Sequence, residues 1–480
     1  MHRNLNAHII FLVVLLSVIV SSQTKENILV RVGHKDITVS EYKARSEFTI
    51  RPDNFKDKDI TLNNLIIEKI LALEAEKDGI ILDQATEAHL KGIKEQNMRE
   101  KLYDMVAYDK VKLNFERIKK SYKLSRREYE VEFYQMNRRY AKQLKSAIEK
   151  RGINTDSIFQ YLSNTLGKQP VHKVKYTDPD DIAIHEALYS KLLSVGDIVG
   201  PIELTNGNYI IMRILNWTDY PLISETEQRE RWEEVEKKER RIEAGKKWQS
   251  YVLRLMKNKK IEFNKETFKK LADVLKSKYL QNNQDTTVTF GELNRELRLT
   301  GMDLKMPFFT FENKIWTIGD FRNELMSRPL VFRTTNMDSS NFAEQFRMAI
   351  ADVMRDHCLT REAYKKSLDK LESVKRTVSL WRDSFLANEQ QKRIMKKAIE
   401  NGEVNADNDL DRFRYWESYL QNLREKYSGM VYINHLVFDS IQLTKVDMVA
   451  LKYGMPYPNV VPGFPLLLST TSIDFVRDNN

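Results

Sequence analysis

The sequence is poor in the residues that staple or break a chain. Among its 480 residues there is one cysteine, Cys358. That excludes an intramolecular disulfide and a cysteine-built zinc site. Glycine (16) and proline (11) are scarce, below averages of about 7% and 5%. Their scarcity argues against a Gly-rich nucleotide-binding sheet, a repetitive all-β fold and a disordered low-complexity chain. No phosphate-cradling loop, paired-histidine metal motif or nucleophile elbow occurs, so no cofactor or metal is expected. His357 adjoins Cys358 without a visible third group, which reads as a buried thiol rather than a nucleophile.

What the chain has instead is charge. Charged residues make up 30%, and 78 basic against 68 acidic residues leave a net +10. Few chain-breakers and many charges predict long solvated helices. Nucleic-acid binding would need the excess gathered on one face; interspersed charges predict no nucleic-acid partner and at most a weak preference for acidic partners or anionic lipid. With 41% hydrophobic residues the chain can bury a core, and its length suggests two to four domains.

The first residues give the compartment. Arg3 precedes an apolar run from Ile9 to Leu16, extended by Val18, Ile19 and Val20 and closed by Ser21 and Ser22. A basic start, a short apolar middle and small residues describe a secretory signal peptide, with cleavage after Ser22. The alternative is a retained anchor, for which the run is short, since a span needs about 20 apolar residues. No nearby cysteine offers a lipoprotein anchor, and transient membrane proximity stays open. The expected location is periplasmic or otherwise extracytoplasmic.

Short motifs recur at fixed offsets. Ile28–Val32, a turn at Gly33, and Ile37-Thr-Val-Ser-Glu-Tyr42 read as two strands entering a helix. Thr38 and Glu41 have the spacing of a capping box. The pattern returns at Thr317 and Asp320, offset by 279 residues, and more weakly at Thr289 and Glu292. A second set, Leu253, Arg254, Asn264 and Phe268, lines up with Leu423, Arg424, Asn434 and Phe438 at an offset of 170. One architecture used twice, with a domain inserted in the first copy, accounts for both offsets; chance matching of short motifs is the other account.

The segment that would be the insertion differs from its flanks. Tyr129, Val131 and Phe133 alternate with Glu128, Glu130 and Glu132, a half-buried strand. Helices follow over 138–150, from Thr155, and over 182–193. Gly196-Asp-Ile-Val-Gly-Pro201 makes a turn, and Asn206-Gly207 predicts a hairpin. The flanks are helical. Leu62, Leu65, Ile66, Ile70 and Leu73 hold helical spacing broken only by Lys69, and 224–256 is a long charged helix with a thin apolar stripe. The Pro-rich stretch from Gly454 to Pro465 cannot be helical; it is an extended apolar tail, packed on the body or offered to a partner.

Four of these features resemble the SurA, PrsA and PpiD group of bacterial extracytoplasmic folding factors. They are the opening Val30–Tyr42, the helix containing Leu71, Glu74, Ala75 and Gly79, the run Lys119–Tyr134, and Leu193–Ile202 with Asn206–Ile211. The last is similar to the closing hairpin of parvulin-type prolyl isomerase domains. The resemblance implies an α+β fold, a mainly long-helical chaperone scaffold with an inserted small parvulin-like α/β domain. Such domains place one histidine on the first strand and another on the last. Here those positions hold Phe133, Tyr134, Gln135 and Met136, and Tyr209, and no histidine lies between His89 and His172 or between His185 and His357. The implied domain is therefore degenerate, and peptidyl-prolyl isomerase activity is left as an alternative. Phe133, Tyr134, Met136 and Tyr209, with Ile184 and Leu188 from the facing helix, become candidate peptide-groove residues, against ordinary core packing.

The expected organisation is a signal peptide (1–22), an N-terminal chaperone region (23–119), the parvulin-like domain (120–222), a returning charged helix (223–280), a second helical unit (281–440) and an extended tail (441–480). The expected function is that of an exported ATP-independent chaperone whose partners are unfolded exported polypeptides, envelope or outer-membrane proteins by resemblance. Two other readings stay open: an active prolyl isomerase, and a structural subunit bound to one fixed envelope partner.

Overall fold

The computed structural model describes residues 27–48, 58–151, 155–178, 181–204, 207–279, 287–334, 337–443, 452, 454–464 and 474–476. The signal-like segment, Asn206 and much of 441–480 lie outside the described residues. The chain opens with strands β1 (Ile28–Val32) and β2 (Lys35–Thr38) and helices α1 (Val39–Glu47), α2 (Lys58–Lys77) and α3 (Gln84–Val106). There follow α4 (Phe115–Leu124), β3 (Arg127–Met136), α5 (Arg138–Arg151), α6 (Thr155–Leu166), β4 (His172–Lys175), α7 (Ile182–Tyr189), β5 (Ile198–Glu203), β6 (Tyr209–Asp219) and the long α8 (Glu225–Leu255). Next come β7 (Glu262–Phe263), α9 (Lys265–Tyr279), β8 (Thr287–Val288), α10 (Phe290–Leu299), β9 (Pro307–Phe311), β10 (Lys314–Thr317), α11 (Ile318–Glu324) and β11 (Leu330–Val331). The last elements are α12 (Phe342–Lys365), α13 (Glu372–Glu400), α14 (Asp409–Tyr427), β12 (Val431–Ile433) and α15 (His435–Ser440). Long helices and small antiparallel sheets make the fold α+β, as expected. No described helix is long and apolar enough to cross a membrane.

The chain divides into two compact units, residues 1–97 with 369–480, and residues 98–368. Each holds a three-stranded antiparallel sheet, ordered β12-β1-β2 in the first and β10-β9-β7 in the second. The two sheets match residue for residue. Val30 pairs with Ile433 and Ile37; Phe309 pairs with Phe263 and Trp316. Both hairpins shift register at the same step, before Thr38 and before Thr317. The amide of Asn434 donates to Leu29 O at 2.9 Å, as Asn264 N does to Phe308 O. These are the offsets of 279 and 170 read from the sequence. The pairing, however, is crossed. The first hairpin takes its third strand from the end of the chain, and the second hairpin takes the strand that precedes it. One sheet is therefore nested inside the other along the sequence, instead of two copies following each other.

Local chemistry explains the shared entry into helix. Thr38 and Thr317 each accept a hydrogen bond from the amide three residues on, Glu41 and Asp320. Asp320 and Glu292 complete their boxes by accepting from the cap amides of Thr317 and Thr289. Glu41 instead meets Lys69 Nζ at 2.8 Å. In the first hairpin the turn is made by Gly33 at φ +58°, where a Cβ would stand 3.3 Å from Leu73 Cδ1. The second places Glu312 and Asn313 at φ 48° and 63°, the two left-handed positions of a type I′ turn.

In the first unit α2 is buried nearly all round, its Leu62, Leu65, Ile66 and Ile70 packed with the sheet and α14. The lysine that interrupts its stripe is buried too. Lys69 bridges Glu41 and Asp383, Lys35 bridges Asp383 and Glu76, and Arg45 grips Glu68 with two bonds of 2.8 and 2.7 Å. Ions this far from water persist only when paired. The tail packs on this same unit: Tyr457, Val461, Phe475 and Val476 are all buried.

In the second unit the three-stranded sheet supports an aromatic core of Phe308, Phe309, Phe311, Trp316, Phe321 and Phe346, in which Cys358 is fully buried. The 120–222 segment forms a separate four-stranded sheet, ordered β4-β3-β6-β5, from the expected sequence of strand, helices and hairpin. Gly200 allows β5 to approach β6: a Cβ there would lie 2.5 Å from Ile210 O. The half-buried reading of β3 needs correction. Glu128 and Glu132 are 4% and 5% exposed: Lys173, Lys175 and Tyr220 meet Glu128, and Tyr134 and Arg213 meet Glu132.

Candidate peptide-binding site

The six candidate groove residues do not form one groove. Neighbours on a strand point to opposite faces, and the sheet separates them accordingly. Phe133 packs on the face covered by α4, α7 and α8, together with Ile184 and Leu188. Tyr134 and Met136 pack on the other face with Tyr209, against Ala141, Phe159 and Leu162 of α5 and α6. Leu188 and Tyr134 are 0% and 2% exposed and belong to the core. Met136 pairs directly with Tyr209 across the ladder.

Each face carries polar groups. Beside Tyr134, the buried Glu132 accepts from the Tyr134 hydroxyl at 3.0 Å and from Arg213 at 2.5 Å. Arg213 also lies over the Phe159 ring. Burial pushes the Tyr134 hydroxyl up, so it donates and stays neutral. On the other face β4 brings a histidine back to the sheet: His172 packs on Phe133 with ring centres 4.7 Å apart and planes tilted by 52°. His185 on α7 is buried between Tyr176 and Tyr189, at 4.6 and 5.2 Å. Burial, helped by Lys238, pulls its pKa down to about 4, so it is neutral near pH 7. Beneath it, Glu239 accepts from Ser121 at 2.6 Å and meets Arg117 at 2.7 Å.

Recesses flank this sheet. At the end of the β3–β6 ladder, a polar recess of about 260 Å³ is lined by Met136, Arg138, Gly207, Asn208, Glu344 and Met348, among others. The second recess, of about 350 Å³, lies between α4 and α8 and is open to solvent. Its walls are Phe115, Tyr122 and Trp232, with Lys119, Lys123 and Arg126 at the rim. Trp232 holds Phe115 at 5.6 Å and Tyr122 at 5.4 Å. Phe115 is nonetheless 62% exposed. The opposite face of α4, Ile118, Ser121 and Leu124, is buried.

This second recess was not among the expected sites, although part of its signal is in the sequence. Positions 115, 119, 122 and 126 share one helical face, and aromatic and basic residues alternate along it. The missing part is Trp232, which the chain supplies from α8. An aromatic floor with a basic rim suits an apolar side chain next to a carboxylate. Among the described residues, no group of three or more His, Cys, Asp and Glu side chains is arranged to hold a metal.

No protein-family model and no curated protein sequence matches the chain. Among solved structures it is similar to the foldase PrsA of Streptococcus pneumoniae, at 14% identity and TM-score 0.20, over 45% of this chain and 91% of that one. PrsA of Lactococcus lactis matches at 15% identity and TM-score 0.18, over 48% and 93%. A SurA-like chaperone of Campylobacter jejuni matches at 15% identity and TM-score 0.15, over 48% and 96%.

Proposed function

We propose that the protein is an exported, ATP-independent folding chaperone that binds apolar segments of unfolded polypeptides. The observation that carries this reading is the open aromatic recess of Phe115, Tyr122 and Trp232. A large ring left in water forgoes about 1.5–3 kcal/mol of burial, which a docked client side chain recovers. The basic rim of Lys119, Lys123 and Arg126 favours carboxylates beside that side chain, although Arg126 also faces the Asp219 carboxylate. Binding of this kind is weak and broad, as a general chaperone requires. Outer-membrane β-chains are the clients that the family resemblance suggests.

Suppression of aggregation tests the reading. The mature protein should keep a urea-diluted outer-membrane-type chain soluble at near-equimolar ratio, and Phe115→Ala with Trp232→Ala should weaken this several-fold without unfolding the protein. Equal protection by the double variant would sink the assignment to this recess; no protection by either protein would sink the chaperone reading.

A second reading, residual prolyl isomerase activity in 120–222, is favoured by one contact: His172 on Phe133 at the strand where a histidine is expected. Acceleration of a proline-limited refolding reaction at catalytic protein concentration, lost in His172→Ala, would establish it. Absence of acceleration would remove it.

A further inference from the structure

The Pro-rich tail is held in an unusual way. Core segments are usually gripped through their side chains, but here the body grips the tail's main chain. The Gln96 amide makes two bonds to one residue: its Nε2 donates to Tyr457 O at 2.9 Å and its Oε1 accepts from Tyr457 N at 3.1 Å. Arg45 and Ser384 both donate to Gly463 O at 3.4 Å. Asn63 Oδ1 accepts from Phe475 N at 3.0 Å. Such contacts read the backbone and not its sequence. Side chains are read as well: Asn63 Nδ2 donates to Asp474 Oδ1 at 3.2 Å, and Phe475 and Val476 are buried. Tyr457 enters an aromatic pocket whose nearest ring is His89, at 4.8 Å, with Trp381 and Phe385 beside it. Arg45 stacks over Phe464 at 4.4 Å. Pro456, Pro458 and Pro462 have no amide to offer and hold fixed backbone angles, and the Lys452 amide donates to Pro458 O at 2.8 Å, so the bent segment is held at little entropic cost.

We propose that this groove, formed by α1, α2, α3 and α13 of the first unit, is a second peptide-binding site and that residues 454–464 are its built-in competitor. Its external ligand is a segment of an unfolded chain that can take the same bent course and offers aromatic side chains about seven residues apart, with prolines between them. The proposal rests on the chaperone reading and adds to it a site that is closed by the protein's own tail until a client displaces it. A tethered competitor acts at millimolar effective concentration, so only dense or tight client segments open the groove.

The test uses the full-length mature protein and a fluorescent synthetic peptide of residues 452–464. Tyr457→Ala frees the pocket while leaving its walls intact, and should bind the peptide at least about fivefold more tightly than the parent protein, because the competent fraction rises. Adding Gln96→Ala should remove that gain. In the unaltered protein, a saturating unfolded outer-membrane-type chain should speed hydrogen exchange at the Tyr457 amide. Unchanged peptide affinity in Tyr457→Ala would overturn the proposal. So would an unmoved Tyr457 amide, which also decides the matter if that variant fails to fold. If the unaltered protein still suppresses aggregation in that case, only this inference falls; if no variant binds any unfolded chain, the chaperone reading falls with it.

Discussion

The Asn434 amide donates to the Leu29 carbonyl at 2.9 Å, closing a sheet between strands about 400 residues apart in the chain. Asn434 also caps α15, its side chain accepting from Val437 N. One residue thus ends the third strand and starts the next helix, and Asn264 does the same on Phe308 and Thr267.

This closure makes the first unit depend on β12. Ile433 is buried opposite Val30. Ile433→Asp would bury an unpaired carboxylate and should destabilise the first unit by about 3–4 kcal/mol. At about 2–4 °C per kcal/mol for a unit of this size, the unfolding midpoint should fall by about 10 °C. Calorimetry checks this; an unchanged midpoint would refute the pairing.

The Arg45–Glu68 pair is fully buried. Removing one partner strands the other, so Glu68→Gln or Arg45→Met should each cost about 3–5 kcal/mol. Replacing both, as Arg45→Met with Glu68→Leu, should cost clearly less than the sum, since no charge is then stranded. A double-mutant cycle in urea measures the coupling; simple additivity would contradict it.

Glu312 occupies its left-handed turn position under two 2.8 Å bonds from Arg361. Those bonds, with Lys259 nearby, hold its pKa down to about 2. A carboxyl whose folded pKa lies below its unfolded value of 4.5 stabilises the fold fully above about pH 4.5. That contribution is lost as pH falls from there toward 2. Because both side chains are partly exposed, about 1–2 kcal/mol is expected after screening. Urea midpoints measured from pH 6 to 3 should fall, and Glu312→Gln should remove this part of the slope.

His185 carries the same sign in a higher window. Its pKa is lowered from 6.5 to about 4 by burial, so the fold favours the neutral ring. Stability is complete above about pH 6.5 and declines by about 2–3 kcal/mol as pH falls toward 4. An NMR titration should find this imidazole still neutral at pH 5.5, and His185→Phe should flatten stability between pH 6.5 and 4. A ring titrating near 6.5 would refute its burial.

Much of the local structure is legible in the chain. The capping pairs Thr289/Glu292 and Thr317/Asp320 lie where their spacing puts them, because an N-cap is set by residues three apart. The offsets of 279 and 170 mark equivalent strands, because alternation and caps are encoded within a few positions. The apolar spacing of α2 is legible, but Lys69 reads as a break in its stripe and is in fact buried, because its partners Glu41 and Asp383 come from elsewhere in the chain.

Longer-range decisions are not written in any short window. Which third strand joins which hairpin is fixed by register and burial between segments hundreds of residues apart, and the two candidate strands carry the same local signals. The six groove candidates were grouped by sequence, yet strand alternation sends Phe133 and Tyr134 to opposite faces of a sheet covered on both. The recess at Phe115 exists only once α8 brings Trp232 beside α4. Composition and spacing determine the helices, strands, turns and caps; the choice of partners follows from packing, which joins surfaces that the sequence keeps apart.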